Sequence, residues 1–134
     1  DDIYFRIAFE KIEPNLGRGV PTILYDYPVC MAALSRKKPT DPRFAERFEV
    51  YVGDTELGNA FSELTDAAEQ RRRFEYDMDL KEKLYGERYP IDDDFINAVA
   101  AMPEAAGIAI GVDRLVMLVA GVTRIEDAMW APVA

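Results

Sequence analysis

A chain of 134 residues with 16 Lys plus Arg against 25 Asp plus Glu, a net charge of −9 and no histidine, holds one domain's worth of material. The missing histidine excludes every imidazole-dependent triad, metal site and proton relay within the chain. The acidic balance argues against nucleic-acid binding by this chain unaided, because phosphate contacts require clustered Lys and Arg.

A single cysteine, Cys30, excludes an internal disulfide and a thiolate zinc cluster, and it suits a reducing compartment. A hydrophobic content of 49% points to a packed core rather than disorder. The longest strongly apolar uncharged run, Leu115 to Thr123, is far shorter than the roughly 20 residues of a membrane span. The acidic start Asp1-Asp2 has no signal-peptide character and no initiating methionine, so processing or origin in a longer chain is expected. A cytoplasmic location follows as the expectation.

No repeat or low-complexity linker divides the chain, and residues 1–134 read as one unit. Ile3, Phe5, Ile7, Phe9 and Ile12 lie among charges in a short, partly helical pattern. Pro14, Gly17, Gly19 and Pro21 make a loop. Thr22–Tyr27 is a short β-type run stopped by Pro28, and Arg36–Pro42 reads as a polar surface loop. Arg47–Val52 alternates apolar and polar residues, Gly53-Asp54 signals a turn, and Thr55–Leu64 reads as the returning strand. Asp66, with Glu69 three residues on, caps a helix running from Ala67 to about Leu84. Pro90 interrupts, and Asp92 caps a second helix that reaches Ala101 and stops at Pro103. Gly107–Val112 is a nearly continuous apolar strand. Asp113–Ala120 follows as a helix ended by Gly121, and Ile125–Ala128 as a single turn. Met129–Val133 is expected to be a closing strand. The plan is α+β: an antiparallel sheet flanked by helices.

Three patterns could carry chemistry. Residues two apart on a strand share a face, so Glu49 and Tyr51 point one way and Phe48, Val50 and Val52 the other. With a two-residue turn at Gly53-Asp54, Tyr51 lies opposite Glu56, which brings Glu49 and Glu56 onto one face of neighbouring strands. Such a carboxylate pair repels itself unless a cation or donor sits between, and oxygen ligands of this kind suit Mg²⁺ carried by phosphates. Spacing alone favours the simpler alternative, a solvated polar face.

Asn59, Phe61 and Glu63 share a second face whose parity differs from that of Glu56. Both sets meet in one pocket only if the strand slips by one residue, and Gly58 is the natural place for that bulge. A carboxylate beside an aromatic ring and an amide suits an ammonium group. By spacing alone an ordinary strand, with Phe61 in the core and Glu63 outside, is the simpler reading.

Gly107, Ala109 and Gly111 leave a strip of strand with almost no side chains, against which a flat ligand can lie. Ile108, Ile110 and Val112 on the other face are expected to be buried. Arg114 at the start of the next helix can meet a phosphate. Close packing of a helix on the strip explains the same spacing equally well. The run Arg71-Arg72-Arg73 reads as a solvated helix face, Cys30 as a core residue and Trp130 as a packing anchor.

Taken together and in order, Arg47-Phe48-Glu49, Glu56–Asp66 and Gly107–Leu115 resemble the C-terminal half of the class II lysyl-type aminoacyl-tRNA synthetases, the last block being similar to their third signature motif. Within that group the chain looks most like the elongation factor P lysine ligases, on Leu64-Thr65 before Asp66, on Pro90-Ile91-Asp92 and on Ala109. Gly58 and Ser62 look more like the tRNA-charging enzymes.

The resemblance implies a set of roles. Glu49 and Glu56 would hold ATP-bound Mg²⁺. Asn59, Phe61 and Glu63 would line a lysine pocket, with Glu63 taking the side-chain ammonium and Ala109 shaping it for β-lysine. Gly107 and Gly111 would floor the substrate and adenine sites, and Arg114 would grip ATP phosphate. The implied chemistry is ATP-dependent adenylation of lysine or β-lysine and transfer to elongation factor P, with tRNA as the alternative acceptor. A non-catalytic binding module built on a synthetase remnant is the third reading. The earlier class II motifs have no counterpart before residue 14, so the chain is expected to act only with the rest of a catalytic domain, the full protein being a homodimer.

Overall fold

The structure, a computed structural model, describes residues 2–131. Four strands, β1 (Thr22–Pro28), β2 (Phe44–Val52), β3 (Thr55–Ser62) and β4 (Ala106–Ile110), form one sheet in the order β1-β2-β3-β4, and every neighbouring pair is antiparallel. Helix α1 (Asp2–Ile7) runs on through a π-type turn (Ala8–Ile12) and a 3-10 turn (Glu13–Asn15). Helices α2 (Ala67–Tyr85) and α3 (Asp93–Ala101) lie between β3 and β4, and α4 (Val112–Ala120) follows β4. This is the α+β plan read from the sequence.

The local reasons are those the residues suggest. Gly53 and Asp54 both have positive φ, +58° and +64°, the requirement of the tight turn that matches the twist of a two-stranded hairpin. The Asp66 side chain accepts a hydrogen bond from the Glu69 N–H (2.9 Å), and the Asp92 side chain one from the Phe95 N–H (3.1 Å), so each helix begins where a capping aspartate stands. Gly121 ends α4. Helices α2 and α3 meet through the rings of Phe74 and Phe95, 5.7 Å apart. Gly17 presses the loop before β1 against the hairpin. Its φ is +72°, and a Cβ there would stand 2.8 Å from the backbone of Tyr51 and Val52, so only glycine fits.

Two bulges change which way side chains point. Between β1 and β2 the register shifts between Tyr25 and Tyr27, around Asp26, whose φ is +60°. Tyr25 and Tyr27 therefore lie on opposite faces of the sheet, although simple alternation would put them together. Between β2 and β3, Val50 pairs with Gly58 but Tyr51 with Glu56, so Leu57 is the extra residue. The slip needed near Gly58 is thus present, and the predicted pairing of Tyr51 with Glu56 is observed.

Several expectations are corrected. Ile108, Ile110 and Val112 are not buried: they are 50%, 51% and 67% exposed, because β4 is an edge strand with no layer over that face among the described residues. Cys30 is exposed, since it sits in a 3-10 turn (Val29–Met31) at the surface rather than on a core-facing strand. Trp130 is fully exposed, with nothing among the described residues to anchor it. Arg73 is no solvated residue: its Nη1 donates to the carbonyls of Ala33 (3.0 Å) and Ser35 (2.9 Å) and ties α2 to the loop before β2. No strand forms at residues 129–131, and the rest of the expected closing strand lies outside the described residues.

Candidate active site

Register brings the predicted residues together. On β2, Arg47, Glu49 and Tyr51 share one face by alternation. The pairs Arg47–Phe61, Glu49–Asn59 and Tyr51–Glu56 carry that face onto β3, with the Leu57 bulge correcting the parity. The pairs Asn59–Ala109 and Phe61–Gly107 carry it onto β4. Glu49, Glu56, Asn59, Phe61, Gly107 and Ala109 therefore occupy one side of three adjacent strands. A Cβ placed on Gly107 would stand 3.3 Å from Glu63 Oε1, so the Glu63 carboxylate lies over the bare backbone there. A Cβ on Gly111 would stand 3.0 Å from Arg114 Cδ, so the Arg114 stem occupies the space above Gly111. The strip, bare but for the Ala109 methyl, thus runs beneath a carboxylate at one end and a guanidinium at the other.

The electrostatics divide the carboxylates. Glu49 is 7% exposed and saturated with donors. Its Oε1 accepts from Arg47 Nη2 (2.7 Å) and Asn59 Nδ2 (2.9 Å), and its Oε2 from the hydroxyls of Tyr27 and of Tyr51 (2.7 Å). A carboxylate has about four lone-pair sites, and here all are engaged. Burial pushes both tyrosine hydroxyls well above the ordinary tyrosine value, and the hydrogen bond to Glu49 and its charge push them further, so both remain proton donors. Glu56 is more open. Arg114 Nη1 donates to its backbone carbonyl (2.7 Å) and stands 3.6 Å from its Oε2. Glu13, at the end of the N-terminal helical segment, is raised by burial first and then by Glu49 and Glu56, which places a third carboxyl in their field.

These positions bear on a metal ion. Mg²⁺ delivered by phosphates needs only one or two protein carboxylates. Glu56, half-open and beside Arg114, fits that need. Glu49 could ligate only by displacing donors it already holds. Among the described residues no group of three or more Cys, Asp or Glu is arranged to hold a metal by itself.

Arg47, Tyr27 and Tyr51 are parts of the cluster to which sequence reasoning assigned no role. Alternation put Tyr51 beside Glu49, and Arg47 stands two residues away from it, which was the available signal. Tyr27 carried none, because its face depends on the Asp26 bulge. A cavity of about 580 Å³ lies over Tyr25, Phe48, Ala60 and Ile108, mainly on the opposite face of the sheet. Arg47, Phe61 and Gly107 also border it, so the hollow adjoins the polar cluster.

Residues 9–133 match the family described as tRNA synthetases class II (D, K and N). Among curated proteins, the chain is 47% identical over 123 residues to the elongation factor P–(R)-β-lysine ligase of Proteus mirabilis (strain HI4320), covering 91% of this chain and 38% of the relative. The protein of the same name from Histophilus somni (strain 2336) is 44% identical over 119 residues, covering 88% and 37%. That from Sodalis glossinidius (strain morsitans) is 44% identical over 130 residues, covering 96% and 40%. The chain spans about two-fifths of the length of these relatives.

Proposed function

This chain belongs to the class II tRNA synthetases of the D, K and N group, and we propose that it forms part of an ATP-dependent ligase that activates lysine or β-lysine and passes it to elongation factor P. The observation that carries this reading is the strip Gly107-Ala109-Gly111, with the Glu63 carboxylate over one end and the Arg114 guanidinium over the other. An amino acid with a terminal ammonium and a nucleotide phosphate can lie on the strip at once, each against its opposite charge.

In the proposed reaction the amino-acid carboxylate attacks the α-phosphorus of ATP and pyrophosphate leaves. An amine of the acceptor protein then takes the acyl group and AMP leaves. Bound Mg²⁺ would offset charge on the phosphates during the first step. The chain's own residues bind and orient. Glu63 holds the ammonium, Phe61 and Asn59 flank it, Ala109 limits the depth of the pocket, and Gly107 and Gly111 admit the ligand close to the backbone. Arg114 holds phosphate, and Glu56 faces the phosphate-borne cation. No step calls for an imidazole, in keeping with a sequence that has none.

The names of the relatives and the −9 charge favour a protein acceptor over tRNA. A second reading, tRNA charging, has Gly58 and Ser62 in its favour. We place the protein in the cytoplasm as a homodimer; no helix among the described residues is long and apolar enough to cross a membrane.

The deciding experiment supplies radiolabelled lysine or β-lysine, ATP and Mg²⁺ to the full-length protein with either elongation factor P or tRNA. Label on elongation factor P is the expected result, and label on tRNA alone overturns it. The 134 residues by themselves are expected not to catalyse amino-acid-dependent ATP–pyrophosphate exchange. Exchange by the isolated chain would refute that expectation. Ala109→Gly is expected to deepen the pocket and improve use of α-lysine by roughly tenfold, the usual worth of one methyl group in a pocket. Competition between α- and β-lysine in the exchange assay checks it, and an unchanged ratio removes Ala109 as a selector.

A further inference from the structure

We infer that Glu49 is a positioning residue of the amino-acid pocket rather than a metal ligand: with Arg47, Tyr27 and Tyr51 it locks the Asn59 amide in one orientation. This deepens the proposed function and rests on it.

The lock is visible atom by atom. Asn59 Oδ1 accepts from Arg47 Nε (3.2 Å), and Asn59 Nδ2 donates to Glu49 Oε1 (2.9 Å). Turning the amide over would set its NH2 against a guanidinium and its carbonyl against a carboxylate, so both bonds would be lost and both contacts would become repulsive. One N–H and one acceptor site of the amide remain to meet a ligand, and their directions are set. Arg47 is itself held. Its Nη1 donates to the Met31 carbonyl (3.0 Å), its Nη2 binds Glu49, and its guanidinium lies over the Tyr27 ring at 4.6 Å. Tyr27 reaches the cluster because of the bulge at Asp26.

Every acceptor site of Glu49 is engaged in this arrangement. A cation on Oε2 would have to expel one of two tyrosine hydroxyls, and one on Oε1 would have to expel Arg47 or Asn59. Loss of Asn59 releases the amide directly, and loss of Arg47 or of a tyrosine hydroxyl removes a donor that holds the Glu49 carboxylate in place. Among the described residues the Glu56 carboxylate has Arg114 at 3.6 Å as its ion-pair partner and accepts no side-chain hydrogen bond, so a cation there displaces no such donor.

The test uses the full-length protein and the variants Glu49→Gln, Glu56→Gln and Tyr51→Phe. Three quantities are read: the amino-acid KM in ATP–pyrophosphate exchange, the half-saturating Mg²⁺ concentration at saturating ATP, and the Kd for lysine or β-lysine by calorimetry without ATP or Mg²⁺. Glu49→Gln is expected to raise the amino-acid KM and the metal-free Kd by about tenfold, the effect of weakening charge-assisted hydrogen bonds. Its Mg²⁺ requirement is expected to stay within about twofold of the parent's, whereas Glu56→Gln shifts that requirement. Tyr51→Phe keeps the carboxylate and removes one donor, and it moves the same two amino-acid quantities a few-fold even if Glu49→Gln does not fold. A Glu49→Gln protein whose Mg²⁺ requirement rises tenfold while its metal-free Kd is unchanged overturns the inference and leaves the proposed function standing. A parent protein that binds neither amino acid overturns the proposed function and the inference together.

Discussion

Glu63 is the residue on which the ammonium reading turns. Its carboxylate lies over Gly107, where no side chain competes for the space. Glu63→Gln keeps the shape and removes the charge. It is expected to raise the KM for lysine or β-lysine by about 10- to 100-fold, the worth of one charged hydrogen bond. Stability should change by less than about 0.5 kcal/mol, because the side chain is only half-buried. Steady-state kinetics on the full-length protein, with a melting curve as control, checks both. At this scale alternation put Glu49 with Tyr51 and Asn59 with Phe61 and Glu63, and the hairpin turn set Glu56 opposite Tyr51, since period two is a local property of a strand; their roles came only from the family resemblance. It assigned no role to Arg47 or Tyr27. Arg47 meets Glu49 on its own strand, but its other partners, Asn59 and the Met31 carbonyl, and the Tyr27–Glu49 bond lie across strands or in a turn.

Among the elements, α2 is legible from its cap and its length but not from what holds it. Its long surface is polar, and only Gln70 is buried on it. Arg73 fastens it to the carbonyls of Ala33 and Ser35, and Lys37 Nζ stands 2.9 Å from Glu69 Oε1. Lys37 first, then Arg72, holds the Glu69 carboxyl down at about 2, below its ordinary 4.5. A carboxyl whose folded value is depressed favours the fold above the unfolded value and loses that contribution as pH falls through the folded one. The Glu69 contribution is therefore complete above about pH 5 and fades between there and about pH 2. Glu69→Gln is expected to lower stability at neutral pH and to flatten the acid limb in that window. Urea unfolding at several pH values measures it, and an acid limb unchanged in the variant would count against the pairing. Strand β1 shows the opposite case. Its existence is legible, but the bulge at Asp26 is not, because a one-residue slip is set by the neighbouring strand's register.

Across the molecule, the two faces of the sheet differ in kind. One carries the charged and amide groups of the site. The other carries Phe48, Tyr25 and Ile108 around a hollow of about 580 Å³, together with the exposed Ile110, with β4 open at the sheet's edge. Apolar side chains grouped on one face and left in water bind apolar dyes and other apolar surface. The 134-residue chain produced alone is expected to enhance 8-anilinonaphthalene-1-sulfonate fluorescence while folded, and Ile108→Asp to reduce the enhancement. No enhancement from the folded chain would show that this face is covered. The sequence marked Ile108, Ile110 and Val112 as apolar but could not say that they stay open. Burial depends on whether another layer lies over the strand, and alternation is blind to that.

By itself the sequence determined the four strands, helices α2, α3 and α4, the capping residues Asp66, Asp92 and Gly121, the hairpin turn and the alternation within β2 and β3, all consequences of interactions within a few residues. Ordered blocks at matching spacing also sufficed to assign the family. The tertiary structure alone decided that Glu49 is saturated while Glu56 is open, that Tyr27 turns toward the site, and that Glu63 and Arg114 cover the two ends of one bare strip. Those facts depend on register, bulges and donors brought from distant parts of the chain, and such contacts exist only once the strands are paired.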